Sequence, residues 1–276
     1  MNFTLKHIIT FSSFLLSINT FSSENFQTEV NELYIKILQT ENINKKLAIN
    51  DSLINLISSE LNNKNSLKTK YDSIENLGIL KSNDKSLTVF NWHLQLAIGI
   101  YQYFGIVQKH DQIRDSIYIY ILHDKSDKIT DHENYIGNDT SWFGALFYEI
   151  IEKEIDDKIY YTLLGFDYNS TISRKKIIEV LYFDNNQLKL GYPLFKSEKK
   201  VANRVIFEYS SKAVMTMNYD FKTDQIIFDH LSPSEPNLIG HYEFYGPDFS
   251  YDAFKFIFDS WIYYPAIDVK NSKQKK

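Results

Sequence analysis

The strongest constraint on this chain is a cadence of short aromatic-rich segments and tight turns that runs from Leu87 to Val269. Turn-forming residues stand at Asp156-Asp157-Lys158, Asp184-Asn185-Asn186-Gln187, Ser210-Ser211-Lys212 and Lys222-Thr223-Asp224. Between them lie β-branched and aromatic runs such as Ile177–Phe183, Val205–Tyr209, Val214–Tyr219 and Gln225–Phe228. Such side chains fit a pleated, half-buried surface, and turns at this spacing join antiparallel neighbours. The expected fold class is therefore mainly β: antiparallel hairpin-connected sheets, as a sandwich or open barrel, with an N-terminal helical segment. A propeller would need an internal repeat of roughly 40–50 residues, and none is visible.

The cadence predicts about twelve strands, including 240–245 and 261–269. It breaks at Asp248 to Asp259, where Phe249, Ala253, Phe256 and Ile257 are spaced for one face of a short helix. Ahead of the β region, Val30, Leu33, Ile37 and Leu38 recur at helical intervals, as do Leu47, Ile54, Ile57 and Leu61 after a break near Asn42–Asn44. This amphipathic pair either docks onto the β body or binds a partner. Asp72-Ser73-Ile74-Glu75-Asn76-Leu77-Gly78 reads as one helical turn closed by glycine.

The first residues set the destination. Lys6 and His7 precede an uncharged run from Ile8 to Ile18, then Asn19-Thr20-Phe21-Ser22-Ser23, the pattern of a secretory signal peptide with cleavage favoured after Ser22. The run is too short for a membrane span of roughly 20 residues. The expected organisation is a signal peptide (1–22), a helical segment (23–80), an antiparallel β domain (87–269) and a disordered basic tail (270–276). With no cysteine, the chain can carry neither a lipoprotein anchor nor disulfides nor thiolate chemistry. Periplasmic or extracellular placement follows, soluble or peripherally attached to the envelope. A transmembrane barrel is disfavoured: Ile117–Leu122 and Ile159–Phe166 are apolar on consecutive positions, whereas a barrel wall alternates.

Charge and composition exclude several partners. A net charge of −5 supports solubility and gives no basic face for nucleic acid. Phosphate-cradling loops, dinucleotide fingerprints, nucleophile elbows and zinc-protease helices are all missing, and nine glycines leave little to build nucleotide loops.

Polar groups gather between Phe228 and Phe254. Asp229 could orient His230 as a general base, or Asp248 and Asp252 could work as an acid–base pair. Alternatively Asp248 and Asp252, with His241 or His230, could share a divalent cation such as calcium. The structural reading, in which these residues cap and close turns, is the favoured one. Asp124 to Ser141 reads as a mobile solvated loop. Trp92, Trp142 and Trp261 are candidates for stacking on a sugar ring, against core packing as the plainer role.

At Asn91-Trp92-His93, Trp142-Phe143-Gly144-Ala145, Leu163-Leu164-Gly165-Phe166-Asp167, Asp229-His230-Leu231 and Tyr245-Gly246-Pro247-Asp248-Phe249-Ser250-Tyr251-Asp252, the chain resembles uncharacterised exported proteins of Bacteroidota. The resemblance covers roughly residues 87–269. It implies export and a shared β fold, and it carries over no activity. The expected function is an exported envelope binding or accessory protein whose partner is an envelope protein or polysaccharide. A metal-assisted or carboxylate-based hydrolase acting on an envelope polymer, and an outer-membrane-associated protein, are the alternatives.

Overall fold

A computed structural model describes residues 9–268, with side chains from Glu24 onward. The chain divides into two units: residues 1–77 with the hairpin tip 110–119, and residues 78–109 with 120–276. The expected basic tail, 270–276, and the start of the expected signal peptide lie outside the described residues.

In the first unit, α1 (Ile9–Gln39) and α2 (Ile43–Leu61) pack against each other through buried Val30, Tyr34 and Ile37 on one side and Leu53, Ile57 and Leu61 on the other. The helical spacing read from the sequence thus becomes the packed stripe, and α1 runs across the expected cleavage point at Ser22. Asn42 starts α2, its side-chain carbonyl accepting from the Lys45 N–H at 3.0 Å. The segment 72–78 is a turn rather than a helical one. Side chains of α1 supply its hydrogen bonds: Gln27 accepts from Ser73 N–H at 3.0 Å, while Asn31 accepts from Glu75 N–H at 2.9 Å and donates to Ser73 C=O.

Strands make up 48% of the structure, in antiparallel sheets of which one curls into a half-barrel, so the β class read from the turns is the class observed. In chain order they are β1 (Gly78–Lys81), β2 (Leu87–Ala97), β3 (Ile100–Asp111), β4 (Ser116–His123), β5 (Leu146–Ile155), β6 (Lys158–Asp167), β7 (Ser173–Asp184) and β8 (Gln187–Leu190). There follow β9 (Phe195–Lys196), β10 (Val201–Ala202), β11 (Val205–Ser210), β12 (Met217–Asp220), β13 (Gln225–Pro233), β14 (Tyr245–Ile257) and β15 (Ser260–Tyr264). They form sheets ordered β1-β2-β3-β4, β11-β7-β6-β5 with β8 on β7, and β10-β9-β15-β14-β13-β12. The β9–β15 ladder is parallel.

Turn chemistry explains the register. Asp156, Asp157, Asn185, Asn186 and Asp224 all take positive φ, a region that Asn and Asp tolerate better than other side chains. Two apolar cores result. One packs Val89, Val107, Trp142, Phe143, Phe147 and Leu163; the other packs Leu164, Ile178, Met217, Phe228, Phe254 and Trp261. Each large side chain so enclosed contributes roughly 1.5–3 kcal/mol over its exposed state.

Three local readings are revised. Residues 248–259 form no helix; they belong to the 13-residue strand β14 and the turn after it. Residues 240–245 are a loop with one 3-10 turn at Tyr242–Phe244, not a strand. The connection from Asp124 to Ser141 is clamped rather than loose: Gly137 exchanges backbone hydrogen bonds with Leu190, and Glu133 C=O accepts from the N–H groups of Asn203 and Arg204. Beneath it, Arg204 Nε donates to Glu179 at 2.5 Å and Nη1 donates to the His132 carbonyl at 2.6 Å, both ion-pair side chains fully enclosed.

Candidate functional site

The site begins as an interruption in the β13–β14 ladder. Pairing is regular from Gln225↔Lys255 to Asp229↔Tyr251 and resumes at Leu231↔Pro247. Between these points, His230 on β13 stands opposite Asp248, Phe249 and Ser250 on β14. Pro247 lacks the N–H a regular ladder needs, so the bulge begins where the strand has already lost a donor. Phe249 sits at φ 71°, left-handed backbone that an aromatic side chain rarely adopts, with its ring 95% exposed. A strained bulky residue that buries nothing is a mark of a functional segment.

Asp248 is fixed by its neighbours. Its Oδ1 accepts from Ser250 N–H at 3.0 Å and from Ser250 Oγ at 2.6 Å, and its Oδ2 accepts from Ser232 Oγ at 2.8 Å. The Ser250 hydroxyl, then that of Ser232, holds the carboxyl down to about 2. It is therefore an ionised acceptor throughout the physiological range.

His230 is held from the other side. Its Nδ1 lies 2.7 Å from Asp252 Oδ2, which also accepts from Tyr263 OH at 2.6 Å, while Asp252 Oδ1 accepts from Ala266 N–H at 3.0 Å. Asp252 is buried, and the imidazole is 40% exposed. Burial, reinforced by the Asp252 carboxylate, raises the Tyr263 phenol above its ordinary value, so Tyr263 stays a donor. An ionised carboxylate can only accept, so the Nδ1 that faces it is the donor of this hydrogen bond, and Nε2 is turned away from Asp252.

Asp229, expected to orient His230, does something else. Its carboxylate accepts from Thr216 N–H at 2.6 Å and its own N–H donates to Thr216 C=O, closing the 211–216 loop. Neighbouring strand residues face opposite sides, so Asp229 and His230 do not meet. His241 stands at the start of the 3-10 turn, 3.8 Å from Glu243. Among the described residues no three His, Asp or Glu side chains gather as a cation cage. The oxygens of Asp248 and Asp252 are engaged by hydroxyls, an imidazole and backbone N–H groups.

The tryptophans are core residues. Trp92 stacks on Phe104 at 5.9 Å, Trp142 lies 5.8 Å from Phe147, and Trp261 Nε1 donates to Thr162 Oγ1 at 3.0 Å. All three are fully enclosed and offer no free ring face. Sequence reading missed Ser232, Phe249 and Tyr263. The Gly246-Pro247-Asp248 run was the one signal of the bulge; Tyr263 carried none.

Beside Asp248 opens a groove of about 490 Å³, lined by Ser232, Asp248, Tyr245, Phe244, Glu243 and Lys212 among others. It sets an ionised acceptor, two aromatic rings and one charge of each sign around one volume. Comparison of the chain with protein-family models, curated proteins and solved structures finds no match.

Proposed function

We propose that this chain is an exported envelope binding or accessory protein whose groove along β13 and β14 takes a hydroxyl-rich polymer. The observation that carries the reading is the Asp248 carboxylate, held ionised by Ser250 and Ser232 beside Tyr245 and Phe244. A fixed acceptor takes hydroxyl protons, and neighbouring rings cover the C–H faces of a sugar. The signal pattern at residues 6–22 supports export. The test is electrophoresis through gels containing cell-envelope polysaccharide. Retardation of the protein, weakened about tenfold in Asp248→Ala and Phe244→Ala, is expected from the loss of one charge-assisted hydrogen bond or one ring contact. Equal mobility with and without polymer rejects the reading.

A second reading rests on a different pair. His230, aligned by buried Asp252 at 2.7 Å, is arranged as a general base. On this reading the protein hydrolyses the polymer it binds, with Asp252 and Tyr263 as positioning residues. Reducing-end release by the wild type, lost in His230→Gln while retardation persists, is the expected result. No release from any bound polymer rejects it.

A further inference from the structure

One face of the sheet β11-β7-β6-β5 changes character along β7. Alternate residues of a strand face the same side, so Arg174, Lys176, Ile178 and Val180 stand in one row. Ile178 and Val180 are enclosed in the second core. Arg174 and Lys176 lie past its edge and are half-buried. Lys176 pairs in register with Phe207 on one side and Phe166 on the other, and Arg174 pairs with Tyr209.

Aromatic rings frame both cations. Lys176 Nζ lies 4.4 Å from the Tyr148 ring centre and 5.6 Å from that of Phe166, and it donates to Tyr148 OH at 3.3 Å. The Arg174 guanidinium lies 5.5 Å from the Tyr168 ring centre. Tyr168 in turn is edge-on to Phe166 at 4.9 Å and stacked on Tyr101 at 4.8 Å. The contact chain Tyr148–Lys176–Phe166–Tyr168–Tyr101 thus forms a platform in which every member keeps some surface in water.

Neither cation has an acid. Arg174 spends Nη1 on the carbonyls of Tyr168, Ser170 and Ser173, which leaves its Nε and Nη2 without a protein acceptor. Burial pushes the Lys176 ammonium down, with no carboxylate opposing the push. Glu149, next to Tyr148 on β5, acts on that phenol but turns its carboxylate to the Tyr219 N–H. Glu208 on β11 faces the opposite side, where it accepts from Ser173 and Asn169. Lys175 is the contrast: it too faces that opposite side, and its charge acts on buried Asp167. In a chain with 35 acidic and 30 basic side chains counter-charges are plentiful, and a half-buried cation left without one is a cost to the fold.

From this we infer that the platform is a second binding site, for an oligosaccharide bearing acidic groups, with an oxyanion taken by Lys176 and Arg174 and sugar rings lying against Tyr148 and Tyr101. Ammonium and guanidinium donors complement a carboxylate or a sulfate ester, and the aromatic rings complement the C–H faces beside it. A free inorganic anion would use the cations and leave the rings idle. A nucleic-acid strand would use both, but it carries a charge on every residue, and a net charge of −5 opposes it. The inference rests on the polymer reading only in taking the carrier to be a sugar; the Asp248 groove has no part in it.

The test is isothermal titration of the full chain with trigalacturonate, a sulfated trisaccharide and uncharged maltotriose. The first two separate a carboxylate from a sulfate ester as the source of the charge, and one of them should bind about tenfold tighter than maltotriose. Lys176→Met should abolish that preference, as the loss of one charge-assisted hydrogen bond implies. Methionine fills the space between the rings, so the urea midpoint of this variant should equal or exceed that of wild type, which separates lost binding from misfolding. Tyr101→Ala should weaken binding about fivefold. Lys255→Met, at an exposed position of β14, removes the same charge and should change nothing. Equal affinity for the three sugars, no binding of either acidic one, or binding unchanged in Lys176→Met overturns the inference. So does inorganic phosphate or an oligothymidylate bound as tightly as the acidic sugars. Binding lost in Asp248→Ala but kept in Lys176→Met assigns the sugar to the groove, which overturns this inference and leaves the first reading standing. The converse pattern upholds the platform whatever the groove does.

Discussion

Replacing Arg204 by methionine tests whether the enclosed ion pair governs the fold of the 124–141 connection. In the native chain Arg204 satisfies Glu179 through Nε and the His132 carbonyl through Nη1, and its guanidinium lies 5.2 Å from the Phe143 ring centre. Burial pushes the Glu179 carboxyl up, and Arg204 opposes that push. Methionine fills much of the volume but leaves the carboxylate enclosed without its counter-charge, which costs about 3–5 kcal/mol. At about 2–4 °C per kcal/mol for a chain of this size, the melting temperature should fall by about 6–20 °C. A group whose folded pKa lies above its unfolded value contributes stability below the unfolded value and loses it as pH rises through the folded one. Without Arg204 the Glu179 carboxyl rises further, so the deficit should be largest at neutral pH and shrink near pH 4. The double change Arg204→Met with Glu179→Leu removes both charges and should recover to within about 1 kcal/mol of wild type. Urea unfolding of the three proteins at pH 7 and pH 4 measures every quantity. A single-variant loss below about 1 kcal/mol, or a double variant as weak as the single, refutes the reasoning.

Phe249→Gly should stabilise the protein by about 0.5–1 kcal/mol, because the relieved left-handed strain of about 1–2 kcal/mol outweighs the extra chain entropy of glycine. A lower urea midpoint would contradict this. Tyr263→Phe removes one hydrogen bond to a buried carboxylate and should cost about 1–2 kcal/mol in the same assay; an unchanged midpoint would show that Asp252 does not need it. Carbon NMR of the Asp248 carboxyl should give a midpoint near 2, moving toward the ordinary 3.8 in the Ser250→Ala, Ser232→Ala protein. Its folded pKa is depressed, so its contribution to stability is present above 3.8 and lost as pH falls toward 2.

Much of this architecture was readable from local chemistry. The Asp-Asp and Asn-Asn turns announced their hairpins because only a few side chains tolerate positive φ, and Val30, Ile37, Ile57 and Leu61 announced their helices by spacing. The error at 248–259 has a local cause too. The bulge at Asp248–Ser250 resets the alternation of β14, so Phe249, Ala253, Phe256 and Ile257 mimic a helical period across a strand. The site was half readable. Its polar cluster stood out as composition, but the pairing of His230 with Asp252 follows from the Phe228↔Asp252 register, which no local signal carries. Glu179 left a trace, as one acid within the apolar run Ile177–Leu181, but its partner lies 25 residues on, brought near by the β7–β11 pairing.

The place of β15 in its sheet has a consequence for how the molecule assembles. It lies between β9 and β14, with Trp261 paired in parallel to Phe195, although among the described residues it is the last strand in chain order. A chain emerging from its N-terminus can close the β12–β13 and β13–β14 hairpins as they appear, yet β9 must wait for residues some 66 positions later. Until then β9 and β14 each present an open edge, the state most prone to pairing with a neighbouring chain. Completion of the six-stranded sheet is thus a late, long-range event. Chains cut short before Trp261 would meet proteases and aggregation with that edge still exposed.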